Sequence, residues 1–436
     1  MWATVKKLFG KIPEPNNPNS SRKISIVDCL LSGCAMFSFK FPSLLQFDDI
    51  CRDEHDEDKQ GILHNLKTLF GINHAPSDTY MRERLDEVDP QTLRQPFKVL
   101  FAQLQRGKAL EAYQYFNGHY LISLDGSGHF SSNKVHCENC CEKHHQNGTI
   151  TYHHQVLSAA IVHPDNNIPI PLCPEPITKQ DGNAKNDCER NASKRLLEDL
   201  RREHPHLKII ITEDALASNA PHIELLNKLK MHYILGAKPD DHKALFDFVD
   251  FAGCTHYEHI DKEGTLHRYR FINNVPLNDS NPNCMVNFIE YWETNKKGKI
   301  QHFSWVTDIK ITEATCYTIM KGGRARWHTE NEIFNTLKNQ GYEYEHNFGH
   351  GKKNLCTVFS ILMTLAFLID QIQLVCCPLF QSALKKVRAK IVLWQDMRGK
   401  FKEFLILCWE DLYLHIAGFR KKSTLELTSK VALDST

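Results

Sequence analysis

The chain has 436 residues, with 53 Lys+Arg against 52 Asp+Glu and a formal net charge of +1. That length can bury a core for two or three domains, and the charge balance excludes a polycation, so any surface for a polyanion must be local. Fifteen cysteines without regular disulfide spacing, behind an opening "MWATVKKLFGKIPEPNNPNSSRK" that turns polar at once, predict a reduced, cytosolic protein.

From about Ser25 to Tyr113 the texture is helical. "SIVDCLLSGCAMFSF" is apolar at helical spacing, and "FDDICRDEHDEDKQ" reads as a solvated acidic loop or helix face. In "HAPSDTYMRERLDEVDP", Ser77 or Asp78 can cap a helix that ends before Pro90. Residues 1–115 are therefore expected to form an N-terminal all-α domain, suited to DNA binding or to scaffolding.

At Tyr120 the pattern changes to short apolar runs bounded by turn residues. "YLISLDGSG", "ITYHHQVLSAAIVHP" and "IPIPLCPEPI" read as strands, and "NDCERNASKRLLEDLRREHP" as a helix. "LKIIITEDALAS" is a buried strand emerging into a loop, followed by the helical "APHIELLNKLK" and the strand "MHYILGAKPD". The order β-β-β-α-β-α-β makes residues 116–241 the first part of an α/β core. Between these strands, "VHCENCCEKHHQNGTITYHH" holds Cys137, Cys140, Cys141, His144 and His145. A C-x2-C pair with His three or four residues on can supply tetrahedral Zn2+ ligands. Cys137, Cys140 and His144 or His145 are the candidate structural zinc ligands, with His136, His153, Cys173 or Cys188 as a fourth. The alternative is a hairpin excursion with reduced thiols.

Residues 242–308 break the α/β rhythm. "THYEHI", "LHRYRFI", "MVNFIEYWET" and "IQHFSWVTDI" are strand-like, separated by turns, and predict an antiparallel β insertion. Residues 309–375 then complete the core with two helical stretches. "NLCTVFSILMTLAFLIDQIQLVCC" is apolar but split by Asp370, which argues for a buried core helix over a membrane span. Residues 376–436 form a tail whose Leu384–Lys422 portion carries ten basic against four acidic residues, with Trp394, Phe401, Phe404 and Trp409 interleaved. It suits a helical arm on a DNA backbone, a dimer-forming helix or a solvated basic face; the last residues, "STLELTSKVALDST", read as disordered.

Two carboxylates stand at predicted strand ends, Asp125 on the first core strand and Asp214 on the fourth. Groups at strand ends of an α/β sheet project into the crevice where sites form. If those strands are neighbours, the two carboxylates face each other and repel unless a cation lies between them. A third is available on "RWHTENEIFNTLK", where Ile333, Phe334 and Leu337 mark an apolar helical face. Glu330 lies four residues after Arg326, on the same side of that helix. Each residue has an ordinary reading as well: a turn Asp, a helix cap, an ion-paired surface.

The motifs "LISLDGSG", "IIITEDALAS" and "RARWHTENEIFNTLKNQGYEYEHNFGHG", with "KNDCERNASKRLL" and "SDTYMRERLDE", resemble those of DDE-type transposases of the bacterial insertion-sequence kind, which have a ribonuclease-H-like catalytic core. The resemblance implies that Asp125, Asp214 and Glu330 are a catalytic triad holding two Mg2+ (or Mn2+) ions. Arg326 and Lys338 match the Arg and Lys that accompany the Glu in one large subgroup, and would bind phosphate. Trp327 would pack or stack on an extruded base. Gly323 stands where that subgroup has Tyr, and Glu330 to Lys338 encloses seven residues instead of the usual six, which leaves Glu332 open as the third carboxylate. The expected activity is metal-dependent cleavage at element ends and strand transfer into target DNA, by a homodimer in the DNA complex, in a cytoplasmic, nucleoid-associated setting with no membrane. The alternatives are a ribonuclease-H-like nuclease without strand transfer and a non-catalytic DNA-binding relative.

Overall fold

Two serines start the first long helices. The Ser25 hydroxyl accepts the Asp28 N–H and the Ser77 hydroxyl accepts the Tyr80 N–H, each at 3.1 Å, satisfying donors that a helix N-terminus leaves over. In the computed structural model, which describes residues 1–15, 24–52, 59–182 and 185–419, the N-terminal part forms α1 (Trp2–Phe9), α2 (Ile26–Ser38), α3 (Leu44–Arg52), α4 (Lys59–Phe70), α5 (Asp78–Asp86) and α6 (Arg94–Arg106). Part of the expected acidic loop, residues 53–58, lies outside the described residues.

From Tyr120 the strands join one large sheet. They are β1 (Tyr120–Ser132), β2 (Cys141–His144), β3 (Ile150–His163), β4 (Asn166–Pro171), β5 (Glu175–Ile177), β6 (Ile209–Glu213), β7 (His232–Gly236), β8 (Thr255–Ile260), β9 (Leu266–Pro276), β10 (Met285–Thr294) and β11 (Ile300–Thr307). Their order is β2-β3-β1-β6-β7-β11-β10-β9-β8, with β4 and β5 both paired to β3. β3 runs antiparallel to β1, while β6 and β7 continue beside β1 in parallel. The parallel strands require crossovers, supplied by α7 (Lys185–Glu203) and α8 (Ala220–Lys228). Ile209 and Ile211 pack into the core that holds Leu196, Leu197 and Leu226 of those helices, whereas Ile210 and Ile234 pack with Ile319 and Met320 of α10 (Glu313–Arg324), α9 (Lys243–Phe251) lying between β7 and β8. Coverage on both faces is why "KIIIT" and "YILG" read as continuous apolar runs.

The expected β insertion is real as strands but is not a separate body. β11 pairs with β7 at Trp305↔Gly236, Val306↔Leu235 and Thr307↔Ile234, so β8–β11 extend the core sheet. On the α10 face, Tyr269, Tyr291 and Trp305 fill the second core. Trp305 also accounts for Gly323: a Cβ there would run into the indole ring, leaving no room for the subgroup's Tyr.

After α10 the chain forms a helix whose last part is α11 (Asn335–Asn339), then α12 (Leu355–Cys376), α13 (Pro378–Val387), α14 (Lys390–Glu403) and α15 (Trp409–Ala417). By length and composition α12 could cross a membrane, yet its apolar span is buried throughout within the fold. Asp370 sits inside, bound to Lys40 Nζ and the Tyr342 hydroxyl, with Lys40 over the rings of Tyr342 and Trp394 at 4.2 and 4.0 Å. The described part of the tail, residues 376–419, packs into the fold. The Asn65 amide of α4 donates to the Phe401 and Phe404 carbonyls at 2.8 Å and accepts the Ile406 N–H at 2.7 Å, and Trp409 stacks on Phe39. Residues expected as an N-terminal domain and a basic tail thus share one helical core with α12. The physical reason is that the tail's aromatic residues are its buried face, which charge counting alone does not show. Arg420, Lys421, Lys422 and the final stretch lie outside the described residues.

Candidate active site

Strand register brings the two aspartates level. β1 and β6 pair in parallel up to Ser123↔Thr212, and Asp125 and Asp214 each lie two residues further on, on the same side of the pleat as that pair. Asp125 does not end its strand, as the sequence suggests: β1 runs on to Ser132 because β3 continues beside it, with Asp125 opposite Ser158. It is the pairing with β6 that stops there. Asp214 stands at the start of a short helical turn and its Oδ1 accepts the Leu216 N–H at 3.0 Å. Its neighbour Glu213 is buried and bonded to His222 Nε2 at 2.9 Å.

The third carboxylate arrives on the helix after α10. Thr329 anchors it, its buried hydroxyl donating to Ser123 Oγ on β1 at 2.8 Å. The guanidinium of Arg326 then spans the gap, 2.8 Å from Asp125 Oδ2 and 2.8 Å from Glu330 Oε1. Burial pushes the Asp125 carboxyl up to about 6; Arg326 opposes this, and the charges of Glu330 and Asp214 add to it. Arg326 thus links Glu330 to Asp125, and the charges of Glu330 and Asp214 both act on Asp125.

Residues Thr329–Phe334 form a π-helical turn. Two α turns take about 7.2 residues and a π turn adds one, giving about 8. Glu330 and Lys338 are eight positions apart (338−330). The extra residue between them is absorbed by the wide turn, so both side chains keep to one side of the helix.

The expected DNA-contacting residues separate in the structure. Arg326 is engaged with the carboxylates, Lys338 pairs with Glu345 at 2.7 Å, and Trp327 is 64% exposed instead of packed. A carboxylate that local sequence does not single out stands at the rim: Glu189 of α7 lies 3.2 Å from where a Cβ on Gly126 would stand, and it lines a small cavity with Asp214. Its signal was the "CERNAS" helix, whose charged face gave no direction. Alongside runs a cleft of about 760 Å3 lined by residues including Gly128, Lys143, His145, Gln155 and Lys338. An all-oxygen donor set of this kind suits Mg2+ or Mn2+ over softer metals. Asp125, Asp214 and Glu330 could hold such an ion, and Arg326 stands in for part of its charge.

The Cys/His cluster differs from expectation. Cys137 and Cys140 come together with His154 and His350, their ligand atoms all within 4.8 Å of one another. His144 and His145 do not join them: they are exposed, bonded to Glu142 at 3.2 Å and Thr151 at 2.8 Å. In a strand, side chains alternate between faces, and β2 turns His144 outward, whereas β3 brings His154 to the thiols.

No family model matches the chain, and neither does any curated protein. Among solved structures it is similar to a piggyBac transposase in a cryo-EM structure of a synaptic complex with hairpin DNA, at 9% identity and a TM-score of 0.41, covering 100% of this chain and 78% of that one.

Proposed function

We propose that the chain is a DNA transposase of the insertion-sequence kind, cutting at element ends and transferring the strand to target DNA. The observation that carries this is Arg326 bridging Asp125 and Glu330, with Asp214 close enough for its charge to act on Asp125. The sheet supports a ribonuclease-H-like core: an antiparallel β3–β1 pair continued by parallel β6 and β7, with the aspartates level on adjacent parallel strands. Divalent magnesium or manganese held by the three carboxylates would supply the Lewis acidity for phosphoryl transfer.

The chain's own residues do the rest. Arg326 balances two carboxylates, and its fork geometry suits a phosphate of DNA. Thr329 fixes where the Glu330 helix begins relative to β1. Lys338 offers a point charge to the backbone at the cleft, and exposed Trp327 a stacking surface for a base. The resemblance further implies a dimer on DNA and a nucleoid-associated location. The test is Mg2+-dependent nicking of an element-end duplex beside its binding across a salt series. Glu330→Gln should abolish nicking and keep binding, whereas Lys338→Ala should weaken binding and flatten the salt slope by about one unit. Full nicking by Glu330→Gln would overturn the assignment. Nicking without joining of a pre-cut 3′-OH end would indicate the nuclease alternative.

A further inference from the structure

The geometry points to a structural Zn2+ site formed by Cys137, Cys140, His154 and His350, clamping the β1–β3 excursion to the segment that follows the Glu330 helix. Four of the six separations among these ligand atoms match a tetrahedral S2N2 centre, and all six are within 4.8 Å. With Zn–S of about 2.3 Å and Zn–N of about 2.0–2.1 Å, tetrahedral angles require S···S of about 3.8 Å and S···N of about 3.5 Å. The structure has Cys137 Sγ to Cys140 Sγ at 3.8 Å, His154 Nε2 at 3.4 and 3.3 Å from the two sulfurs, and His350 Nε2 at 3.3 Å from Cys140 Sγ.

The surroundings prepare the ligands. His350 Nδ1 lies 2.8 Å from the Gly351 carbonyl; donating there leaves the Nε2 lone pair facing the thiols, the orienting bond that metal-ligating histidines use. The Cys137 N–H meets Cys140 Sγ at 3.4 Å, supporting a thiolate. Gly351, at φ +72°, allows the turn next to His350, and a Cβ there would strike the Asp86 carboxylate. Asp86 accepts the N–H groups of Lys352, Lys353, Asn354 and Leu355 at 2.9–3.0 Å, so the chain directly after His350 is held in place.

The placement gives the site a role. Cys140 and His350 are 210 positions apart, and the ring of His350 packs on Phe130 at 4.5 Å. Phe130 lines the same cleft as Lys338. A bound zinc would thus fix the wall of that cleft by tying the β1–β3 strands to the chain beyond Lys338.

The inference is independent of the transposase reading. Its test is metal content of the full-length chain, purified without a metal-binding tag, followed by replacement with Co2+. Expected are one equivalent of zinc and, with cobalt, the visible bands of a tetrahedral ion with sulfur-to-cobalt charge transfer. His144→Ala/His145→Ala should keep the metal, His350→Gln and His154→Gln should lose at least tenfold in affinity, and Glu330→Gln should keep full zinc whatever its effect on DNA. A folded wild-type chain with reduced thiols that contains no zinc and takes up no cobalt would overturn the site.

Discussion

Arg326→Ala separates charge balance from chemistry. The guanidinium makes charge-assisted contacts of 2.8 Å to Asp125 and 2.8 Å to Glu330. Such a contact contributes about 1.5–3 kcal/mol when well shielded. The Asp125 contact, between side chains each 21% exposed, is given the lower end; the Glu330 side is 45% exposed and is discounted to about 0.5 kcal/mol for solvent screening. The expected loss is then about 2 kcal/mol in urea unfolding with EDTA present. Removing the Arg also leaves the carboxylates uncompensated, which favours a divalent ion. A tenfold tighter site returns about 1.4 kcal/mol at saturating Mg2+. The deficit should therefore shrink to about 0.6 kcal/mol in Mg2+, while DNA binding falls. An equal deficit in EDTA and in Mg2+ would refute the idea that Arg326 and the metal answer the same charge.

Asp86→Ala strips four backbone N–H groups at the start of α12 of their acceptor and should cost about 2–3 kcal/mol by urea unfolding. Lys40→Met leaves Asp370 buried without its cation and should cost about 3–5 kcal/mol at neutral pH. Burial already holds the Asp370 carboxyl above its ordinary value. A raised folded-state value means the native state binds more protons than the unfolded chain, so stability falls as pH rises. The Lys40→Met deficit should accordingly widen above about pH 4, the ordinary carboxylate range, which a pH series of unfolding midpoints checks.

What sequence could show and what it could not divides along chain distance. Asp125 and Asp214 were legible because each follows an apolar run of strand length, and Glu330 because Arg326 precedes it by one helical turn. Asp370 marked α12 as a core helix for the same local reason. The seven-residue spacing to Lys338 was visible as an oddity, but its cause, a π turn, depends on packing against β1. Pairing of β11 with β7 is a choice among distant strands, and no local pattern encodes it. The same applies to His350, whose partners lie two hundred positions earlier, and to the tail aromatics, whose burial depends on α4. The pairing of Arg326 with Glu330 follows from their four-residue spacing, whereas its contact with Asp125 exists only once the sheet is assembled.

After β7 the chain travels by way of α9 to the far edge of the sheet at β8 and then steps back strand by strand through β9 and β10 to β11. What sets the position of α10, and hence of Glu330, is β11 against β7 together with Tyr269 of β9 and Tyr291 of β10 packed on its face. A hairpin can therefore be added beyond β8, in units of two strands, with β9, β10 and the β11–β7 register unchanged. The β8 edge works as an open end: the sheet can widen there while the carboxylates stay where they are.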